Sequence, residues 1–139
     1  MVLIAKSDED VVTCFPVLQE LRPHLVRETF LKTVRKMQSE GFVLAYWEHD
    51  GETVAVAGFR ICINLAAEGN ALYVYDLVTS REHRGKGFGT TMLAEIKQFA
   101  RDADCKVVHL DSNVIRHGAH KFYFRNGFSI VAHHFLAKV

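Results

Sequence analysis

Arg84-Gly85-Lys86-Gly87-Phe88-Gly89 decides how this chain is read. An apolar run, Ala71 to Val78, precedes it and reads as a buried strand. An amphipathic run, Phe88 to Ala103, follows it and reads as a helix, with Met92, Leu93, Ile96, Phe99 and Ala100 as the buried stripe. Glycines at such a junction let backbone N–H groups approach an anion closely, and the start of a helix adds partial positive charge. With Arg84 and Lys86 beside them, the stretch points to a ligand that carries a pyrophosphate.

Two common phosphate loops do not fit. A P-loop requires Gly-x-x-x-x-Gly-Lys-Ser/Thr, and the chain contains no such run. A dinucleotide fingerprint requires Gly-x-Gly-x-x-Gly; counted from Gly85 the last place holds Thr90, and counted from Gly87 it holds Met92. The pattern that fits is Arg/Gln-x-x-Gly-x-Gly/Ala, met by Arg84, Gly87 and Gly89. A second block, Ala119-His120-Lys121-Phe122-Tyr123-Phe124-Arg125-Asn126-Gly127-Phe128, reads Ala-x-x-x-Tyr-x-x-x-Gly-Phe. A helix and a strand separate the two blocks. Together they resemble the Gcn5-related N-acetyltransferases, the GNAT superfamily, from Ala71 to Phe128 and more loosely from Gly41 to the C-terminus.

The resemblance implies one domain over residues 1–139 with the acyl-CoA N-acyltransferase fold. That is a mixed α/β arrangement: a mostly antiparallel sheet of about six to seven strands, flanked by about four helices and splayed at the cofactor site. It implies acetyl-CoA as cofactor and transfer of the acetyl group to a primary amine by direct attack. The backbone from Arg84 through Gly85, Lys86, Gly87, Phe88 and Gly89 would cradle the pyrophosphate, with a hydroxyl from Thr90. Main-chain groups of Leu77 and Val78 would hold the pantetheine arm and the thioester carbonyl. Tyr123 stands in the general acid's place; an ordinary phenol, with a pKa near 10, is protonated at neutral pH and can donate to a thiolate. Asn113 and Phe122 are placed beside the cofactor. Arg116 stands where many relatives have Asn, and its planar fork suits either a cofactor phosphate or a substrate carboxylate.

The base is less defined. Asp76, in Tyr75-Asp76-Leu77-Val78, resembles an acidic position found at the end of this strand in many relatives. Strict alternation places it on one face with Val74 and Val78, opposite Tyr73, Tyr75 and Leu77. A carboxylate there either accepts the ammonium proton or serves as a structural acceptor. Asp111 and Glu48 are the other carboxylates in reach of such a role.

Composition narrows the partners. With 139 residues, 49% hydrophobic and 24% charged, the chain reads as a single soluble domain with its own core. A net charge of +1 does not point to nucleic acid or an acidic membrane. No apolar run is long enough to cross a bilayer, and Met1 to Lys6 lacks the form of a signal peptide, so a cytoplasmic location is expected. Cys14, Cys62 and Cys105 read as free thiols of a reducing compartment. His133 and His134 are adjacent and, on a strand, would point to opposite faces, so no metal site is expected. The apolar Ile130, Val131, Phe135 and Leu136 permit a homodimer. The acceptor is expected to be a small-molecule or peptide amine. A catalytically idle acetyl-CoA-binding regulatory module is the second reading; retention of both the loop and Tyr123 argues against it.

The remaining elements follow from pattern. Val2 to Ala5 reads as a strand, and Asp8 to Glu20 as a helix capped by Ser7 or Asp8 and kinked at Pro16. Leu25 to Ser39 reads as a helix. Phe42 to Glu48 and Thr53 to Asn64 read as strands joined by an Asp50-Gly51 turn, with Gly58 a weak or close-approach point. Leu72 to Val78 and Val107 to Leu110 read as strands, Gly118 to Asn126 as a short helix, and Ser129 to Ala137 as a last strand.

Overall fold

The computed structural model describes residues 1–139. It contains five strands and five α-helices. Strand β1 (Val2–Ile4) leads into helices α1 (Asp8–Thr13), α2 (Phe15–Leu21) and α3 (Arg27–Ser39). Strands β2 (Phe42–His49), β3 (Glu52–Asn64) and β4 (Gly69–Thr79) follow. Then come a 3₁₀ turn (Arg81–His83), α4 (Phe88–Asp102), β5 (Val107–Leu110) and α5 (His117–Arg125). The strands lie in one sheet in chain order, β1 to β5, with antiparallel pairing from β1 through β4. This is the mixed α/β architecture expected. No helix is long and apolar enough to cross a membrane.

Local chemistry explains the boundaries. Ser7 caps α1: its Oγ accepts from Asp10 N–H at 3.1 Å, and Asp10 Oδ2 accepts from Ser7 N–H at 2.8 Å, a reciprocal capping box. Pro16 falls in the first turn of a new helix, where its missing N–H costs nothing, so the single kinked helix expected over Asp8–Glu20 is two helices meeting at Cys14. At the β2–β3 hairpin both Asp50 (φ 51°) and Gly51 (φ 80°) are left-handed, as a tight two-residue turn demands.

Contacts divide the chain into two compact units, Met1–His109 and Leu110–Val139. In the first, one sheet face packs Leu44, Val56 and Val78 against Val11, Phe15, Leu18, Phe30 and Val34 of the first three helices. On the α4 side the Phe59 and Phe99 rings meet edge-on at 5.1 Å, and Met92, Leu93 and Ile96 are buried.

The second unit holds the end of β5, α5 and a tail without regular secondary structure. The strand expected over Ser129–Ala137 is absent, and the sheet has five strands rather than six or seven. Alternating apolar residues give a segment the propensity for a strand, but a strand exists only where a neighbour supplies ladder hydrogen bonds. No backbone hydrogen bond is made beyond Phe128; a side-chain contact, His134 Nδ1 to Asp111 Oδ2 at 2.9 Å, reaches the tail instead. Ile130, Val131, Phe135 and Leu136 are exposed.

Asp10 is the most heavily used carboxylate in the core region. Besides the capping box it accepts from Lys6 N–H at 2.9 Å and from the Tyr46 hydroxyl at 3.2 Å. The Ser7 backbone N–H leads the donors that hold its pKa down to about 2, against an ordinary 3.8. Burial, reinforced by Asp10, pushes the Tyr46 phenol up to about 12. A carboxylate depressed in the folded state stabilises the fold fully above its unfolded value, and that contribution is lost as pH falls through the folded one. Asp10→Ala is therefore expected to lower Tm most above pH 3.8, with the gap from wild type closing as pH falls toward about 2, in a thermal-melt series against pH.

Candidate active site

The first part of the site is the end of β4 and the turn that follows it. Strand β4 pairs with β3 from Gly69↔Asn64 to Thr79↔Ala55, with one irregularity: Asp76 pairs with Gly58, and the next pair is Val74 with Phe59. Tyr75 is the extra residue of a β-bulge, and a bulge resets the alternation of side chains. Before it, Val74 lies opposite Phe59 on the α4 face. After it, Asp76 and Val78 lie on the face of α1–α3: Val78 belongs to that core cluster, and Asp76 Oδ2 lies beside Gly58 next to the Phe42 ring. Tyr75 shares this face, its ring 6.1 Å from Phe42 and 4.5 Å from Tyr73. The expected grouping of Asp76 with Val74 and against Tyr75 is thus corrected by the bulge. The pairing of Asp76 with Val78 stands.

Arg22, at the C-cap of α2, reaches this bulge. Its Nε donates to Asp76 Oδ1, and its Nη2 donates to the Tyr75 carbonyl at 3.2 Å. Asp76 is largely covered, its side chain 12% exposed against 43% for Arg22. Asp76 is therefore an ion-paired carboxylate, an arrangement the sequence offered no means of seeing. Gly58 is the close-approach point: a Cβ there would stand 2.4 Å from Phe42 Cζ and 3.1 Å from Asp76 Oδ2.

Beyond the bulge, β4 outruns its other neighbour. Lys106 N–H donates to Asn70 O at 2.8 Å, so β5 starts beside the start of β4, and it is only 4 residues long. Leu77 and Val78, paired to Ala57 and Val56 on β3, have no strand on their other side. An extended ligand arm could add to that edge through main-chain hydrogen bonds.

The strand then delivers the chain to the glycine turn. Ser80 is buried, and its N–H donates to Val54 O at 2.8 Å. Arg81 N–H donates to Glu20 Oε2 at 2.9 Å, so α2 touches this junction as well as the bulge. Arg84 turns its Nε back onto Thr79 O at 3.2 Å. Gly85 (φ 76°) and Gly87 (φ 90°) are both left-handed, and Gly87 is the N-cap of α4 with no side-chain cap. Nothing lies within 4 Å of where a Cβ would sit at either. None of the backbone N–H groups from Arg84 to Thr90 donates to a protein acceptor, whereas Thr91 N–H closes the first helical bond on Gly87 O at 3.0 Å. A run of unspent N–H groups on a left-handed turn at a helix start has the backbone geometry that suits an anion. Lys86 and Thr90 are exposed beside it. Phe88 points its ring elsewhere, packing on His49 (5.2 Å), His83 (6.0 Å) and Trp47 (6.1 Å), so its side chain anchors the turn to the β2–β3 hairpin.

The second unit, taken by itself, carries the other residues singled out in the sequence. After β5 the chain turns through Ser112, whose Oγ is buried without a hydrogen-bond partner. Asn113 is used locally: its Oδ1 accepts from Ile115 N–H at 3.1 Å, and its carbonyl accepts from Arg116 N–H at 3.0 Å. Arg116 is the N-cap of α5 and is exposed. Tyr123 lies half-buried, its ring 5.3 Å from Phe122 and 5.8 Å from Phe128. The Gly-Phe end of the second block closes the helix: Gly127 is left-handed (φ 82°), and Phe128 N–H returns to Tyr123 O at 3.0 Å. Burial pushes the Tyr123 phenol up, and the Arg116 charge opposes this. No cluster of three or more His, Cys, Asp or Glu residues is placed to hold a metal ion.

Comparison with known proteins accords with this geometry. The model of the acetyltransferase (GNAT) family matches residues 8–128. The uncharacterized N-acetyltransferase YhdJ of Bacillus subtilis (strain 168) is 32% identical over 133 residues, covering 93% of this chain and 92% of that protein. The ribosomal-protein-alanine N-acetyltransferase of Brucella melitensis biovar Abortus 2308 superimposes with a TM-score of 0.85 at 14% identity, over 100% of this chain and 99% of that one. An aminoglycoside N-acetyltransferase solved in complex with CoA does so with a TM-score of 0.84 at 12% identity, over 100% and 95%. The fold and its turn define an acyltransferase-type enzyme. The chain belongs to the GNAT family of acetyltransferases.

Because the Phe42 ring occupies the space a side chain at Gly58 would need, Gly58→Ala is expected to cost about 1–3 kcal/mol of stability, read from urea unfolding.

Proposed function

We propose that the protein is an acetyl-CoA-dependent N-acetyltransferase that moves an acetyl group to a primary amine of a small molecule or peptide. One observation carries the reading most: the unspent N–H groups from Arg84 to Thr90, on a turn held left-handed at Gly85 and Gly87, directly follow a strand edge that has no neighbour at Leu77 and Val78. The turn suits the pyrophosphate of coenzyme A, and the strand edge suits its amide-bearing arm and the thioester carbonyl.

The chemistry on this reading is direct. The neutral amine attacks the thioester carbon, the C–S bond breaks, and the thiolate takes a proton from the Tyr123 hydroxyl. A phenol whose pKa is raised by burial stays protonated across the neutral range, which suits a donor. Solvent removes the proton of the new ammonium centre. Asp76 and Asp111, two of the carboxylates the sequence offered, each already have a partner, in Arg22 and His134.

Calorimetry with acetyl-CoA, followed by thiol release against a panel of amines, tests the whole reading. Absence of binding removes it, and binding without turnover favours the regulatory module. Gly87→Glu is expected to weaken acetyl-CoA binding by about tenfold or more, by placing a negative charge and a strained left-handed backbone at the turn. Since the space at Gly87 is open, wild-type affinity in a folded variant would show the cradle to be misplaced.

Tyr123→Phe is expected to lower kcat by about a hundredfold with little change in cofactor affinity. The charge on Arg116 favours the phenolate, so Arg116→Ala is expected to move the alkaline limb of the pH–rate profile to higher pH.

A further inference from the structure

The α2 end makes two contacts that the glycine turn and Tyr123 do not explain. Arg22 spans two successive residues of β4, donating from Nε to Asp76 Oδ1 and from Nη2 to Tyr75 O. Two residues earlier on the same helix, Glu20 accepts from Arg81 N–H, just before the turn. One short helix thus holds the strand at its bulge and again where it leaves the sheet.

Tyr75 is the residue without a partner on β3. A bulge is free to migrate unless something specifies it, and a shift by one residue sends the neighbouring side chains and main-chain groups to the opposite face or edge. Here the specification comes from outside the ladder. A guanidinium is planar and presents its donors in a fixed fork, so one side chain can grip a carboxylate and an adjacent carbonyl together; an ammonium cannot reproduce this. Past the bulge, Leu77 and Val78 lie on the stretch of β4 whose other edge has no neighbouring strand. Because an antiparallel ladder turns the main-chain groups of successive residues to alternate edges, the register set at the bulge decides which of the two presents them there.

We propose that Arg22 is a positioning residue for acetyl transfer: it pins the bulge at Tyr75 and so sets the main-chain groups of Leu77 and Val78 that receive the thioester. Asp76 is the anchor of this guanidinium and not the proton acceptor of the reaction. The functional half of the statement rests on the acetyltransferase reading above; the pinning of the bulge stands without it.

The test has two arms. In the first, amide ¹H–¹⁵N shifts of residues 73–79 are compared in wild type, Arg22→Lys, Arg22→Ala, Asp76→Asn and Asp76→Ala, each with and without acetyl-CoA. Arg22→Lys, Arg22→Ala and Asp76→Ala are expected to shift or broaden the amides from Tyr75 to Val78. Asp76→Asn, which keeps an acceptor oxygen, is expected to perturb them least. Unaltered amides in folded Arg22→Lys and Arg22→Ala would overturn the proposal.

In the second arm, kcat is measured with acetyl-CoA and the best amine of the panel. Both Arg22 variants are expected to lose about ten- to a hundredfold in kcat while acetyl-CoA affinity changes little. The double variant Arg22→Ala/Asp76→Ala should be no worse than either single, as for two groups acting as one unit. Asp76→Asn should keep the acidic limb of the pH–rate profile in place. Loss of that limb in Asp76→Asn would make Asp76 the base and overturn the assignment. If wild type itself turns over no amine, the acetyltransferase reading fails, and the amide shifts alone decide whether Arg22 pins the bulge.

Discussion

The pairing of β4 with β3 is the constraint on which the rest of the molecule depends. Its register runs almost the length of both strands and slips once, at Tyr75. That slip turns Asp76 toward the α1–α3 face, where Arg22 can meet it, and leaves Val74 on the other face against Phe59. Past the slip the ladder resumes with Asp76, Leu77 and Val78 and hands the chain, through Ser80 and the short 3₁₀ turn, to the glycines. Had the two strands paired without a bulge, the same residues would present different faces to the same helices.

The site uses glycine in two physically distinct ways. Gly58 is needed because the Phe42 ring fills the space where a Cβ would project; its backbone is an ordinary strand. Gly87 is needed because the chain must enter α4 from a left-handed conformation, in open space. The first supports the core beneath Asp76, and the second leaves helix N–H groups without acceptors. With a net charge of only +1, the chain has no strong overall field to draw an anion, so on the proposed reading recognition would depend on these local dipoles and on Arg84 and Lys86.

Most elements were legible because each depends on a local pattern. The α4 stripe of Met92, Leu93 and Ile96, the Asp50-Gly51 turn and the Ser7 cap state their structure within a few residues. The bulge was not legible, since Tyr73-Val74-Tyr75-Asp76-Leu77-Val78 alternates as well without it, and only the partner strand decides which residue is left over. Nor was the state of the tail: Ser129–Ala137 has the composition of a strand but pairs with none. The split at Pro16 lay between these cases, since the residue that suggested a kink begins a second helix.

The sequence by itself determined the family, the glycine turn between a strand and a helix, and the place of Tyr123 before Gly127 and Phe128. Those features are short, contiguous and dictated by backbone chemistry. Tertiary structure alone decided that Asp76 meets Arg22, separated from it along the chain by one helix and two strands, and that Phe88 supports the turn from behind. Such pairings arise from strand register and helix placement, which are settled by the packing of the whole sheet and are written in no single segment.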